Sequence, residues 1–195
     1  ETQEKILREL NSSFISGISL LGGEPLEPEN QKALYPFVQK VKEKYPQKSI
    51  WCYTGFLFDE QVGALKEAQK AQNKDEVPVG CVIVKDNKII ARGHNLKEKN
   101  CNAILHAEIV TLQKAYKKLK AWRLEDCEMY VTLEPCMMCS GAIVHSRIKK
   151  IYFGAKDPKA GTVVSVASLL DMKELNHKVE YEYGILEEDC SRILK

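Results

Sequence analysis

Apolar residues change their period several times along the chain, and each change marks an element. Residues 77–95, VPVGCVIVKDNKIIARGHN, hold two valine- and isoleucine-rich runs around Asp86-Asn87, the pattern of a β-hairpin closed by a tight turn. Before the hairpin, Val62, Leu65, Ala68 and Ala71 recur at helical spacing and predict an amphipathic helix over 60–72. After it, Ile109, Leu112, Ala115 and Leu119 predict the buried stripe of a helix that opens at His106. Strands are predicted over 127–135 (CEMYVTLEP), 149–157 (KKIYFGAKD) and 178–184 (KVEYEYG), with helices over 136–147, near 166–170 and over 186–195. Strands alternating with helices behind an opening hairpin argue for a layered α/β domain. There is no internal repeat and no low-complexity segment.

A seam falls near residue 60. The pattern before it predicts a helix over 2–10, a strand over 17–21 ended by Gly22-Gly23, a turn, a helix over 31–44 and a strand over 49–55. That amounts to one βαβ unit. A single unit is too small to bury both faces of its own sheet, so its apolar strands are expected to pack poorly. The expected division is residues 1–59 and residues 60–195.

Composition narrows the class. Hydrophobic residues make up 44% of 195 and charged residues 29%, as in a soluble globular protein. No apolar run approaches the ~20 residues of a membrane span, and no basic-then-apolar leader opens the chain, so a cytoplasmic protein without a membrane partner is expected. The chain begins at Glu1 rather than Met, which leaves its natural start open. Net charge is +2, unevenly spread. Residues 1–60 carry 7 basic and 9 acidic side chains, and residues 61–195 carry 22 and 18. The mild basic bias of the second part is compatible with an anionic partner. Seven cysteines with one C-x-x-C pair, Cys136 and Cys139, fit a metal or redox role for that pair better than a disulfide framework.

Cys136 and Cys139 stand three apart in the first turn of a predicted helix, so both sulfurs share one face. Pro135 suits the start of that helix, whose N-terminus favours ionised thiols. Two such sulfurs bind zinc well. His106 opens another helix that follows a strand. Both helix starts can therefore meet at one edge of the sheet, where α/β folds place ligands. One imidazole and two thiolates leave the fourth position of a tetrahedral zinc open for water, the arrangement of catalytic rather than structural zinc. Glu108 lies two residues from His106 and so does not face the same way. It is expected beside the open position as general base and then general acid. Zinc that brings the pKa of water toward roughly 7, next to a proton-shuttling carboxylate, suits hydroxide addition with loss of ammonia.

His-x-Glu followed by Pro-Cys-x-x-Cys resembles the signature of the zinc nucleobase deaminases. The flanking stretches EVPVGCVIV, GHN, HAEI, WRLEDCEMYVTLEPCMMCSGAIVHSRIKKIYFGAKDPKAG and LNHKVEYEYGILEEDC are similar to the bacterial tRNA-specific adenosine deaminases, in one collinear stretch over residues 60–195. The resemblance implies a three-layer αβα cytidine-deaminase-like fold with a mixed five-stranded sheet, and a homodimer. It implies one Zn2+ per chain on His106, Cys136 and Cys139, proton transfer by Glu108, and Asn95 hydrogen-bonded to a flipped base. The implied reaction converts the wobble adenosine of tRNA to inosine, with the anticodon arm as partner. Lys156, Asp157 and Lys159 form a loop suited to RNA phosphates, and His145 and Arg147 face either RNA or a partner subunit. Two departures stand out. The family reads Pro-Thr-Ala before the zinc histidine, where this chain has NAILHAE, so Ile104 and Leu105 are expected to reshape the pocket rim. The family also continues its last helix with aromatic and basic residues, where this sequence ends at Lys195.

Residues 15–58 are similar to an internal piece of the anaerobic ribonucleotide reductase activating protein, a radical S-adenosylmethionine enzyme. There the stretch matching Gly22, Gly23 and Glu24 lies near the methionine of the cofactor. The C-x-x-x-C-x-x-C run of the cluster is missing, and Cys52 is the segment's only cysteine. No functional iron–sulfur cluster and no radical chemistry are expected from it. Two other functions fit the residues: deamination of a free base or nucleoside of the guanine or cytosine type, and a catalytically silent zinc- or RNA-binding fusion remnant.

Overall fold

A computed structural model describes residues 2–20, 28–52 and 58–195, and the chain divides into two compact units, Glu1–Leu57 and Phe58–Lys195. The first unit holds α1 (Thr2–Glu9), β1 (Gly17–Leu20), α2 (Pro28–Lys44) and β2 (Ser49–Cys52). β1 and β2 pair in parallel, from Gly17 opposite Ser49 to Leu20 opposite Cys52, as a βαβ unit requires. Its core is small: Leu10, Phe37, Val41 and Tyr45, with Ile6, Leu7, Ile15, Ile18 and Ile50 against them. No residue of either strand is fully buried. α2 starts three residues before the predicted Gln31. Gly22, Gly23 and Glu24, and the predicted end of the second strand at 53–55, lie outside the described residues.

The second unit runs α3 (Phe58–Gln72), β3 (Gly80–Lys85), β4 (Lys88–His94), α4 (Ala107–Leu119), β5 (Cys127–Leu133), α5 (Met137–His145), β6 (Lys150–Ala155), β7 (Glu180–Tyr183) and α6 (Glu187–Ile193). Asp86 and Asn87 both take positive φ, 50° and 56°, the geometry that lets a two-residue turn follow the strand twist. The sheet order is β4-β3-β5-β6-β7. β3 is antiparallel to β4 and β5, while β5–β6 and β6–β7 are parallel. This is the mixed five-stranded sheet that the sequence predicts.

Alternation along the strands sends side chains to two helix layers. Cys81, Ile83, Met129, Val131, Ile151 and Phe153 share a core with Leu112 and Ala115 of α4 and with Ile143 and Val144 of α5. The other set meets α3 and α6: Val82 lies beside Gly63, and Gly154 abuts Cys190. Because β4 and β5 both oppose β3, they run the same way. Their ends at His94 and Leu133 therefore lie at one edge of the sheet, and each leads to a helix start.

Three predictions of detail need correction. In α3 the fully buried positions are Gln61, Ala64, Ala68 and Ala71, whereas Val62 and Leu65 are half-buried. The helix sits so close to β3 that only small residues fit, and the Gln61 side-chain amide is buried by donating to Val131 O at 3.0 Å. In α4 the buried face is Ala107, Glu108, Val110, Thr111, Leu112 and Ala115, and Ile109 is half-buried. Thr111 there packs on Gly93, which has no Cβ to obstruct it. The helix predicted near 166–170 is a single 3-10 turn, Leu169–Asp171. The amides of Val166 and Leu169 bond back to Gly161 O and Thr162 O instead.

Two glycines test this packing. A Cβ on Gly80 would come within 2.1 Å of Ala64 O and 2.3 Å of Ala68 N. Backbone atoms cannot yield cheaply, so Gly80→Ala is expected to lose at least ~3 kcal/mol in urea unfolding. A Cβ on Gly141 in α5 would meet nothing within 4 Å. Gly141→Ala is expected to be neutral or to stabilise by up to ~1 kcal/mol.

Candidate metal centre and active site

His106 and Cys136 occupy equivalent places, each the last extended residue before a helix, with ψ of 157° and 174°. Both side chains therefore leave the main chain at a helix N-terminus. Cys139, fully buried, lies in the first turn of α5. His106 Nδ1 is 3.6 Å from Cys136 Sγ and 3.7 Å from Cys139 Sγ. All three donor atoms lie within 4.8 Å of one another. Tetrahedral zinc bonded at ~2.05 Å to nitrogen and ~2.3 Å to sulfur separates the two by about 3.6 Å. The donor set thus fits zinc in both chemistry and spacing.

Glu108 is 4% exposed. Burial pushes its carboxyl up to about 7, helped by the nearby Cys136 thiolate. The ligands are poised unequally. The Cys136 thiol is drawn down to about 4, first by a hydrogen bond from the Cys139 thiol and then by His106. Cys139, the donor in that bond, is pushed far above the ordinary thiol range, with burial and the Glu108 charge adding to the effect. His106 is raised by its bond to Cys136. The four side chains shift one another's protons, with Glu108 and Cys139 buried and His106 and Cys136 half-buried.

Asn95 is buried at the end of β4, and the Ala107 N–H donates to its Oδ1 at 2.8 Å. Its oxygen thereby anchors the first turn of α4, and its NH2 group offers two further donors. The remaining candidates are dispersed. Asp157 braces its own loop, accepting from Lys159 N and Ala160 N. Lys156 lies 4.6 Å over the Tyr183 ring, and Lys159 is exposed. His145 is exposed, while Arg147 donates to Asn176 Oδ1 at 2.7 Å. Ile104 is half exposed just before the histidine.

Sequence reasoning missed three buried glutamates. Glu134 accepts main-chain amides from Asp157, Val163, Val164 and Ser165. Glu76 accepts from Glu98 N at 3.0 Å and Lys99 N at 2.9 Å, on the loop that leads to His106. Glu67 pairs with His94 Nδ1 at 2.9 Å, and His94 Nε2 lies 2.9 Å from Lys74 Nζ. The available signal was placement: Glu134 and Glu76 each stand next to an apolar strand, in LEP and EVPVG, where a charged residue needs partners.

Residues 60–195 match the family model of the MafB19-like deaminases. The chain is 50% identical over 131 residues to the tRNA-specific adenosine deaminase of Bacillus subtilis (strain 168), covering 67% of this chain and 81% of that one. It is 51% identical over 125 residues to that of Aquifex aeolicus (strain VF5), covering 64% and 83%. The chain belongs to the tRNA-specific adenosine deaminase family. A solved structure from a study of A-to-I editing by tRNA:A34 deaminases at the wobble position superposes with a TM-score of 0.67 at 38% identity. It covers 69% of this chain and 98% of that one. The guanine deaminase of Bacillus subtilis follows at 0.51 and 30%, covering 65% and 84%. In this chain, Glu108 and the three donors make up the His-x-Glu and Pro-Cys-x-x-Cys runs.

Residues 1–100 also match a 4Fe-4S single cluster domain, which accords with the resemblance of residues 15–58 to an activating protein. A cluster needs several thiolates. Residues 1–100 contain Cys52 and Cys81 alone, one exposed and one buried in β3. These residues do not fit a cluster.

Two measurements follow from the proton sharing. Zinc uptake at pH 7 is expected to release at least one proton, from Cys139, read by calorimetry in buffers of different ionisation enthalpy. The metal-free Glu108→Gln variant is expected to be the more stable protein at high pH. A carboxyl raised from 4.5 to about 7 leaves folding unpenalised below 4.5 and opposes it increasingly up to about pH 7. The advantage over the unsubstituted chain should reach up to about 3 kcal/mol above pH 7 and vanish below pH 4.5.

Proposed function

We propose that this deaminase hydrolyses the wobble adenosine of a tRNA anticodon to inosine, with zinc held by His106, Cys136 and Cys139, Glu108 as proton carrier and Asn95 as a base contact. The observation that carries the reading is the set of N–S distances of 3.6 and 3.7 Å beside a buried carboxylate. The substrate assignment is supported by relatives at about half identity that bear the name tRNA-specific adenosine deaminase.

Zinc bound at these donors supplies Lewis-acid chemistry that makes hydroxide available near neutral pH. Glu108 takes up the proton released as the C6–O bond forms, and passes it first to N1 of the purine. It then takes the proton of the new C6 hydroxyl and delivers it to the leaving amine as the C6–N bond breaks and the C6 carbonyl forms, giving inosine and ammonia. A carboxyl poised near 7 can do both at neutral pH. The NH2 group of Asn95 donates to an acceptor on the base edge, held in aim by the Ala107 amide on its oxygen. Anticodon-loop bases splay out at low energetic cost, which suits a buried reaction centre.

The reading extends to a homodimer in the cytoplasm. Met137 and Val166, both exposed, stand in segments next to the ligands and offer apolar surface to a second copy. No described helix is long and apolar enough to cross a membrane. Residues 1–59, whose single cysteine is Cys52, hold no iron–sulfur cluster on this reading, and residues 60–195 form the deaminase domain.

Purified full-length chain is expected to form inosine in a tRNA carrying wobble adenosine and to leave free adenosine, guanine and cytidine untouched. Turnover of free guanine or cytidine with none on tRNA would replace this reading with the free-base one. Glu108→Ala is expected to keep its zinc and lose roughly 10²- to 10⁴-fold in kcat. Full zinc binding with no turnover in the unsubstituted chain would instead mark a silent binding protein.

A further inference from the structure

We propose that Glu134 is a positioning residue for the metal centre, fixing through the 157–165 loop where Cys136 presents its sulfur; this rests on the metal-centre reading above. Glu134 is 2% exposed at the end of β5. A buried carboxylate needs full pairing, and this one collects five donors. Oε1 accepts from Val163 N at 3.0 Å, Val164 N at 2.7 Å and Ser165 N at 3.0 Å. Oε2 accepts from Asp157 N at 3.0 Å and from the Ser165 hydroxyl. Both ends of one loop are thus gathered onto a single side chain.

That loop then returns to the ligand segment. Thr162 N donates to Pro135 O at 3.0 Å, and Gly161 pairs with Cys136 as an antiparallel bridge. The Thr162 hydroxyl donates to Ser140 Oγ at 3.1 Å, reaching the helix that carries Cys139. Gly161 also lies flat against the carboxylate, where an added Cβ would come within 2.3 Å of Glu134 Cδ. Among the described hydrogen bonds none runs from Glu134 to His106, Cys136 or Cys139. The carboxylate therefore acts on the sulfurs indirectly, through the main chain of residues 161–162 and 135–136 and through the Thr162 hydroxyl. Groups that orient metal ligands in this indirect way commonly change affinity or activity by roughly 10- to 100-fold when removed.

The test uses the full chain without RNA. Zinc affinity is measured by competition with a chromophoric chelator, and cobalt(II) replaces zinc to report the thiolate-to-metal and d–d bands. Glu134→Gln is expected to weaken zinc by roughly 10- to 100-fold and to shift the cobalt bands. Gly161→Ala, which pushes on the same carboxylate from the loop side, is expected to shift them in the same way. Glu134→Asp, which keeps the charge, is expected to recover part of the affinity. Ile151→Ala, a core truncation in β6, is expected to lower the melting temperature and leave bands and affinity unchanged. Unshifted bands and unchanged zinc affinity in Glu134→Gln would overturn the proposal and leave Glu134 a brace of the fold alone. Should Glu134→Gln fail to fold, Glu134→Asp and Gly161→Ala decide on the same readouts. None of these outcomes depends on which nucleobase is deaminated, so a failed tRNA assay leaves the inference standing or falling separately.

Discussion

Everything at this site depends on bringing an imidazole and two sulfurs, 30 and 33 residues apart in sequence, into one small volume beside a buried acid. Without a cation such a cluster resists itself. The sulfurs compete for one proton, the acid is pushed up by burial, and the histidine is pulled toward its charged form. What holds the groups together is the sheet. β4 and β5 both oppose β3, so their ends reach the same edge, and each delivers one helix start there. The fold is assembled by hydrophobic burial on both faces of the sheet, and that larger free energy keeps the groups together.

Much of this was legible in the sequence because the site is made of short-range signals. The Cys136–Cys139 spacing, the His106–Glu108 spacing and the turn at Asp86-Asn87 each depend on a few neighbouring residues. The alternation of strands and helices then predicts which ends meet. The errors have a common physical source. Val62 and Leu65 follow a helical stripe, yet the helix is rotated so that alanines approach the sheet and a glutamine is buried instead. The run 166–170 closes only a single turn because Val166 and Leu169 bond back to Gly161 O and Thr162 O, in a loop gathered by a distant carboxylate. Long-range partners of this kind, Glu134 with 163–165 and Glu76 with 98–99, leave no periodic trace.

The two halves of the chain differ in the same currency. The second unit has a large core between its sheet and α4 and α5, with further buried residues toward α3 and α6. The first has a four-residue core, and strands with no fully buried side chain. Its resemblance to a radical enzyme is carried by a βαβ pattern and glycines, which are features of backbone geometry. The thiolates that would make that chemistry possible are missing from residues 1–100.

The hydrogen bond from the Ala107 amide to Asn95 ties recognition to architecture. The side chain that would discriminate among nucleobases also caps the turn bearing the histidine, a contact of the kind that contributes about 1 kcal/mol. On the proposed base contact, retuning preference at position 95 disturbs the imidazole as well. Selection for a new substrate would meet less resistance at the rim, around Ile104, where a side chain can change without touching the ion's cage.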